Sequence, residues 1–392
     1  MSQQQDIGLL NWFGFGFNGF GQICSRSEFK TDSESIKVTS PLLLKLCYGA
    51  VNQKGESNLT SAERSVNIGA SWSRRATIHL NGDSYVCLSG FGSNSADGDR
   101  CDHVLESRGC TDALINESCL TLSFVDKIEG WCHQQHKKAL VWKMDLHTPD
   151  TTGIVHSLRL PLVPGGYIAS KPPFFRPLPP DLQAVHLALG TEHVILLSAC
   201  GTVYTWGSGS HGQLGHGSLV DGKEPRAVEA LWGVPMSTVA AGGWHSACIS
   251  AGGDLYIWGW NESGQLGLPS KGLKEERLNV KRTEQTRQDE GESSKDVLIS
   301  VQAFPALIDI ARETEITKVS CGSRHTAAIS STGNLYTWGW GNYGQLGHGS
   351  ECSSDEPMLV AYFSSHGLWV QDVVCGLWNT FVRAVQRKNS PS

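Results

Sequence analysis

The chain has 392 residues, 40% of them hydrophobic and 18% charged, enough to build a substantial core. Its net charge of −6 argues against a general affinity for nucleic-acid phosphates. No run of about eighteen apolar residues is present to make a transmembrane helix, and twelve cysteines are too few for a disulfide scaffold and fit a reducing, intracellular setting.

The opening Met1-Ser-Gln-Gln-Gln-Asp6 has no basic or apolar run, so no secretory signal is expected. Trp12-Phe-Gly-Phe-Gly-Phe-Asn-Gly-Phe-Gly-Gln22-Ile23 has the form of the second half of a repeat that recurs downstream. Gly69 to Ile78, followed by Gly82 to Cys87, reads as a degenerate copy of that repeat. Residues 93–118 are polar and predict a long surface loop. Cys119-Leu-Thr-Leu-Ser-Phe124 and Ala139-Leu-Val-Trp-Lys-Met144 predict strands of a further sheet. Lys171-Pro-Pro-Phe-Phe-Arg-Pro-Leu-Pro-Pro180 favours extended polyproline conformation. Its Phe174, Phe175 and Leu178 are candidate partner anchors, set against their being buried in a connector.

The clearest copies follow. Trp-Gly-x-x-x-x-Gly-Gln-Leu-Gly stands at Trp206–Gly215, Trp258–Gly267 and Trp338–Gly347. Each is preceded, thirteen residues earlier, by the histidine of Gly190-Thr-Glu-His193, Gly242-Gly-Trp-His245 or Gly322-Ser-Arg-His325. Between them lie an apolar run, a Gly-containing turn and a Tyr-x-Trp segment, the pattern of an antiparallel hairpin. Units this small cannot bury their own faces, and radial stacking solves that. Gly207, Gly212 and Gly215 are expected at turns with positive φ, and Leu214, Leu266 and Leu346 between sheets. His193, His245 and His325 are expected to hydrogen-bond neighbouring backbone rather than bind a ligand, because one residue type at one repeat position points to packing. Residues 270–296 mix charges of both signs with little apolar content and predict a disordered surface excursion. Cys375-Gly-Leu-Trp-Asn379 is a first half, with Asn379 at the histidine position, so both chain ends are expected to build one closing sheet.

No catalytic constellation emerges. Gly-x-Gly-x-x-Gly occurs at Gly14, Gly207 and Gly339, but no helix follows, and three matches at one repeat position mark a turn rather than a dinucleotide site. Cys101, Asp102, His103, Cys110, Cys119, Cys132, His133 and His136 cluster in sequence without a paired metal-knuckle spacing. There is no Gly-x-Ser-x-Gly elbow. Neither a catalytic residue, a cofactor nor a metal is expected.

The repeat halves, together with the Trp12 opening and the Trp378-Asn-Thr380 ending, resemble the regulator of chromosome condensation repeat family. The motifs cover about residues 185–269 and 300–385 plus the first 23, and residues 24–184 match loosely. The resemblance implies an all-β fold, a single closed β-propeller domain over 1–392. Seven blades are favoured, six are visible, and the seventh is expected in 161–180 or 24–65. It implies a monomeric, non-enzymatic, chromatin-associated adaptor in the nucleus, with a cytoplasmic pool allowed. The implied partner is a Jumonji-C-domain lysine demethylase, contacted through the N-terminal part of the chain. Histones and chromatin would be reached indirectly, in the control of histone lysine methylation, satellite-repeat repression and chromosome segregation. The alternative is a guanine nucleotide exchange factor for a Ran-type small GTPase. The basic N-terminal tail that marks the founding exchange factor has no counterpart in residues 1–6.

Overall fold

The computed structural model describes residues 11–24, 36–46, 65–80, 83–91, 101–132, 139–146, 158–276, 297–310 and 314–387. They form seven antiparallel sheets divided between two compact units. Short apolar runs broken by tight turns leave each sheet with two faces to cover, and the described helices are too short to cover them, so sheet packs on sheet.

The first unit comprises Met1–Pro180 with Tyr362–Ser392. Its first sheet is built from both ends of the chain, as expected. Asn11–Phe17 lies between Lys37–Leu43 and Asn379–Gln386, and Leu368–Cys375 completes the four strands. The register runs from Asn11↔Ala384 to Gly16↔Asn379. Phe13 packs edge-on against Phe363 of the short helix Ala361–Ser365, with ring centroids 5.4 Å apart. The second sheet comprises Val66–Ala70, Arg74–His79, Tyr85–Gly90 and Asp102–Val104. The third comprises Asp112–Ile115, Cys119–Ser123, Lys127–Cys132 and Ala139–Asp145. Ile78, Val86, Leu88, Ile115, Leu120 and Leu122 close the core between these two.

The fourth sheet is the seventh blade hidden from the motif search. Its strands Leu162–Val163, Gly166–Ile168 and Phe175–Pro177 lie in the proline-rich stretch, not in 24–65. Residues 93–118 are not the expected loop over their described part. Residues 101–118 hold two strands, and Ser107 and Cys110 are fully buried. Polar side chains mislead there because Ser107 is spent internally, accepting from Val86 N–H at 2.7 Å.

The second unit, Asp181–Ala361, holds the three clear repeats as four-stranded sheets. Their strands are Ala184–Leu189, His193–Ser198, Val203–Gly207 and Gly222–Ala227; then Met236–Ala241, His245–Ser250, Leu255–Trp260 and Val301–Ile308; then Ile316–Cys321, His325–Ser330, Leu335–Gly339 and Ser354–Leu359. His245–Ser250 and His325–Ser330 are buried along their whole length, whereas the outer strand Gly222–Ala227 is mostly polar and solvated. Trp258, Trp338, Leu266 and Leu346 are buried between sheets, as the repeat predicts. Residues 270–296 begin in order: Leu273 is buried and Ser270 N–H donates to Asp355 Oδ2 at 2.9 Å. Residues 277–296 lie outside the described residues. No described helix is long and apolar enough to cross a membrane.

Candidate functional site

The repeated histidines turn out to be mortar between neighbouring sheets of the second unit. His193 and His245 reach side-chain hydroxyls of the next sheet, besides the backbone contact of His193 with His245. Ser246 Oγ donates to Gln213 O at 2.8 Å, so it must accept from His193 Nε2, 2.9 Å away. In the same way Thr326 Oγ1 donates to Gln265 O at 2.7 Å and accepts from His245 Nε2 at 3.0 Å. Gln213 O also accepts from Trp258 Nε1, and Gln265 O from Trp338 Nε1. The Gly212–Gly215 and Gly264–Gly267 turns therefore dock on the Trp and the hydroxyl of the next sheet. These hydrogen bonds place a ring proton of His193 and His245 on Nε2, and burial favours the neutral imidazole. Burial accordingly pushes His193 down to about 4, and His245 and His325 to about 3.

The same repeat geometry builds a corner at one end of a sheet. His193↔Gly207, His245↔Gly259 and His325↔Gly339 are register partners, as are Asn379↔Gly16 and Arg74↔Gly90. Each glycine has φ between +102° and +114°. At Gly207 a Cβ would lie 2.4 Å from the Glu192 carbonyl oxygen, so only glycine fits. One residue outward, the strands are joined by a backbone hydrogen bond: Ser208 to Glu192, Trp260 to Trp244, Trp340 to Arg324, Phe17 to Trp378 and Phe91 to Ser73, all 2.8–3.0 Å. The repeat fixes the corner backbone and leaves its side chains free. Four of the five corners carry aromatic rings.

In the first unit these rings merge into one cluster. Phe17 meets Phe20, Trp72 and Trp378 at centroid distances of 5.8, 6.2 and 5.6 Å. Phe20 meets Trp72 at 5.1 Å and Phe91 at 5.6 Å. Trp72 is 36% exposed and Phe91 55%. Arg74, at the histidine position of the second sheet, lies 5.5 Å from the Phe91 ring and donates through Nε to Phe91 O at 2.8 Å. Burial lowers its pKa, which Glu117 opposes. Glu117 accepts from the backbone N–H groups of Trp72 and Ser73 and from Ser73 Oγ, holding the loop that presents Trp72. Sequence reading missed this cluster, although the residues flanking the register glycines were a usable signal.

In the second unit Trp244 meets Trp260 at 5.5 Å, and His211 meets both. The Arg324 guanidinium carbon lies 4.7 Å from the Trp260 ring and 5.9 Å from that of Trp340, which packs on Tyr343.

The other candidates pack as follows. Phe174 stacks on Trp142 at 5.5 Å, Phe175 packs against Ile128, Val163 and Ile168, and Leu178 N–H donates to Gly165 O. All three are half-buried. Within the sequence cluster, Cys119 and Cys132 are cross-strand partners, Cys110 is in the core, and His133 and His136 lie outside the described residues. Cys87, Cys101 and His103 bring ligand atoms within 4.8 Å of one another. They suit a metal poorly: Cys101 is disulfide-bonded, and burial pushes the Cys87 thiol up to about 12. Cys200, exposed in a hairpin turn, is drawn down to about 7 by hydrogen bonds with Ser198 and Thr202.

The pattern of the Regulator of chromosome condensation (RCC1) repeat matches residues 200–249, 252–329 and 332–382, and a second pattern of the same description matches 237–265 and 316–345. RCC1 domain-containing protein 1 of Homo sapiens is 40% identical, over 97% of this chain and 98% of its own. The chain belongs to the regulator of chromosome condensation repeat family. The Mus musculus RCC1 domain-containing protein 1 is 39% identical with the same coverage. Among solved structures, Prp20p from Saccharomyces cerevisiae, described with its binding to Gsp1p and histones, has a TM-score of 0.66 at 17% identity, over 99% of this chain and 96% of that one. That likeness shows the fold, the family's β-propeller, here with seven sheets.

Proposed function

We propose that this family member is a non-catalytic adaptor of chromatin in the nucleus, docking a Jumonji-C-domain lysine demethylase and so affecting histone lysine methylation, satellite-repeat repression and chromosome segregation. The observation that carries the docking reading is the cluster of Phe17, Phe20, Trp72, Phe91 and Trp378, in which Trp72 and Phe91 are exposed over a buried Phe17. Aromatic side chains and arginine dominate binding energy at protein interfaces, and contiguous exposed rings are unusual on a surface that meets only water. The cluster joins the C-terminal strands to the N-terminal part of the chain, and it is the N-terminal part where the family resemblance places partner contact. Identity to RCC1 domain-containing protein 1 along 97% of the chain supports the same assignment, and the seven sheets would act as one closed, monomeric domain. Half-buried Phe174, Phe175 and Leu178 would contribute only at the margin. Co-elution of the purified full-length chain with the purified demethylase on size exclusion tests the reading, and separate elution at micromolar concentrations rejects it.

A second reading is favoured by the fold shared with Prp20p, that of an exchange factor for a Ran-type GTPase. A nucleotide-release assay separates the two. The adaptor reading expects no acceleration, and clear acceleration replaces it with the exchange-factor reading.

A further inference from the structure

Arg324 lies over two aromatic rings. Its guanidinium is clamped between the Trp260 and Trp340 rings at 4.7 and 5.9 Å. Trp340 is braced in turn by Tyr343, and Trp260 by Trp244 and His211. The backbone beneath is fixed too, since Trp340 N–H donates to the Arg324 carbonyl at 2.8 Å. Stacking on ring faces uses the flat sides of a guanidinium and leaves its N–H edge unspent. By contrast, Arg226 and Arg383 pair with Glu229 and Asp372. No carboxylate among the described residues reaches Arg324.

We infer that Arg324, held by Trp260 and Trp340, is a receptor for a carboxylate side chain in an acidic peptide segment of a partner protein. Charge and shape choose the occupant. A planar fork with two parallel N–H groups matches a carboxylate bidentately. The surrounding indoles accept the apolar stem of the same residue and its neighbours. Holding the side chain in place beforehand removes much of the ordering cost that weakens an exposed ion pair. This site lies in the second unit and shares no residue with the Phe91 cluster, so its failure leaves the adaptor reading standing, and the converse holds.

The test uses the full-length chain with arginine side chains labelled with nitrogen-15, the Arg324 Nε–H signal being assigned by its loss in Arg324→Lys. The probes are acetyl-tetraglutamate amide, acetyl-tetraglutamine amide, a short oligothymidylate and inorganic phosphate. The glutamate peptide is expected to shift the Arg324 signal saturably and to quench tryptophan fluorescence. The glutamine peptide, the oligonucleotide and phosphate should act at least about tenfold more weakly. Arg324→Lys keeps the charge but loses the fork and the stacking, and should weaken the glutamate peptide by about tenfold. Trp260→Leu keeps Arg324 and removes one wall, and should also weaken it. Equal responses to the glutamate and glutamine peptides, undiminished binding by either folded variant, or binding of phosphate or oligonucleotide as tight as that of the glutamate peptide would each overturn the inference. Should both variants unfold, the comparison of probes on the unmodified chain still decides it.

Discussion

Acidification should dissolve the mortar between the sheets of the second unit well before it protonates most carboxylates. His193, His245 and His325 take up a proton near 6.5 in the unfolded chain, but only at about 4, 3 and 3 when folded. The folded pKa values are depressed, so the unfolded state binds more protons in the window between. Stability is therefore complete above about pH 6.5 and falls as the pH drops toward 4. Each histidine costs about 1.4 kcal/mol per pH unit inside that window. At pH 5.5, one unit in, three histidines remove about 4 kcal/mol of the roughly 5–15 typical of a folded domain. Urea unfolding followed by tryptophan fluorescence at pH 7.5 and 5.5 measures it. The first sheet already uses Asn379 at the histidine position, buried and donating to Phe17 O at 3.3 Å, so His245→Asn is the matched variant. It should lower stability at pH 7.5, because the bond to Thr326 is lost, yet shrink the difference between the two pH values by about a third. Equal stability at both pH values, or a difference untouched by the substitution, would refute the reasoning.

Three further outcomes follow from the same structure. Gly207→Ala places a Cβ against the Glu192 carbonyl at φ +108° and should cost at least about 1–3 kcal/mol, read as a lowered thermal midpoint. Deleting residues 1–22 removes the strand paired with Asn379–Gln386 and exposes that edge, so the truncated chain should lose cooperative unfolding; a fully stable fragment contradicts the terminal pairing. Cys200, drawn down to about 7, should be alkylated by iodoacetamide at pH 7 far faster than Cys248, whose thiol burial holds well above its usual range; mass spectrometry of the labelled peptides reports the order.

The repeat was legible because its glycines, tryptophans and histidines are fixed by backbone geometry and inter-sheet packing, which a sequence states directly. Even the closing sheet could be read, since Trp12–Gln22 and Cys375–Asn379 each carry half of one grammar. The fourth sheet could be narrowed only to 161–180 or 24–65, because its strands span only two or three residues and one ends on Pro177, so neither alternation nor propensity has room to show. Residues 101–118 misled for the opposite reason, their polar side chains being satisfied inside the fold. The hydroxyl after the two later histidines, Ser246 and Thr326, was a signal for the mortar that spacing alone did not reveal. The aromatic corners escaped because they occupy positions the repeat leaves unconstrained, and specificity has freedom to vary at those positions.

The central claim, docking through the first unit's aromatic corner, is tested most directly by calorimetric titration of the full-length chain with a purified Jumonji-C-domain demethylase, alongside the folded variants Trp72→Ala and Phe91→Ala. Loss of a central aromatic anchor should cost about 2 kcal/mol or more, a weakening of about thirtyfold in Kd, with unfolding midpoints little changed for the half-exposed Phe91. Tight binding that neither variant weakens would contradict the account.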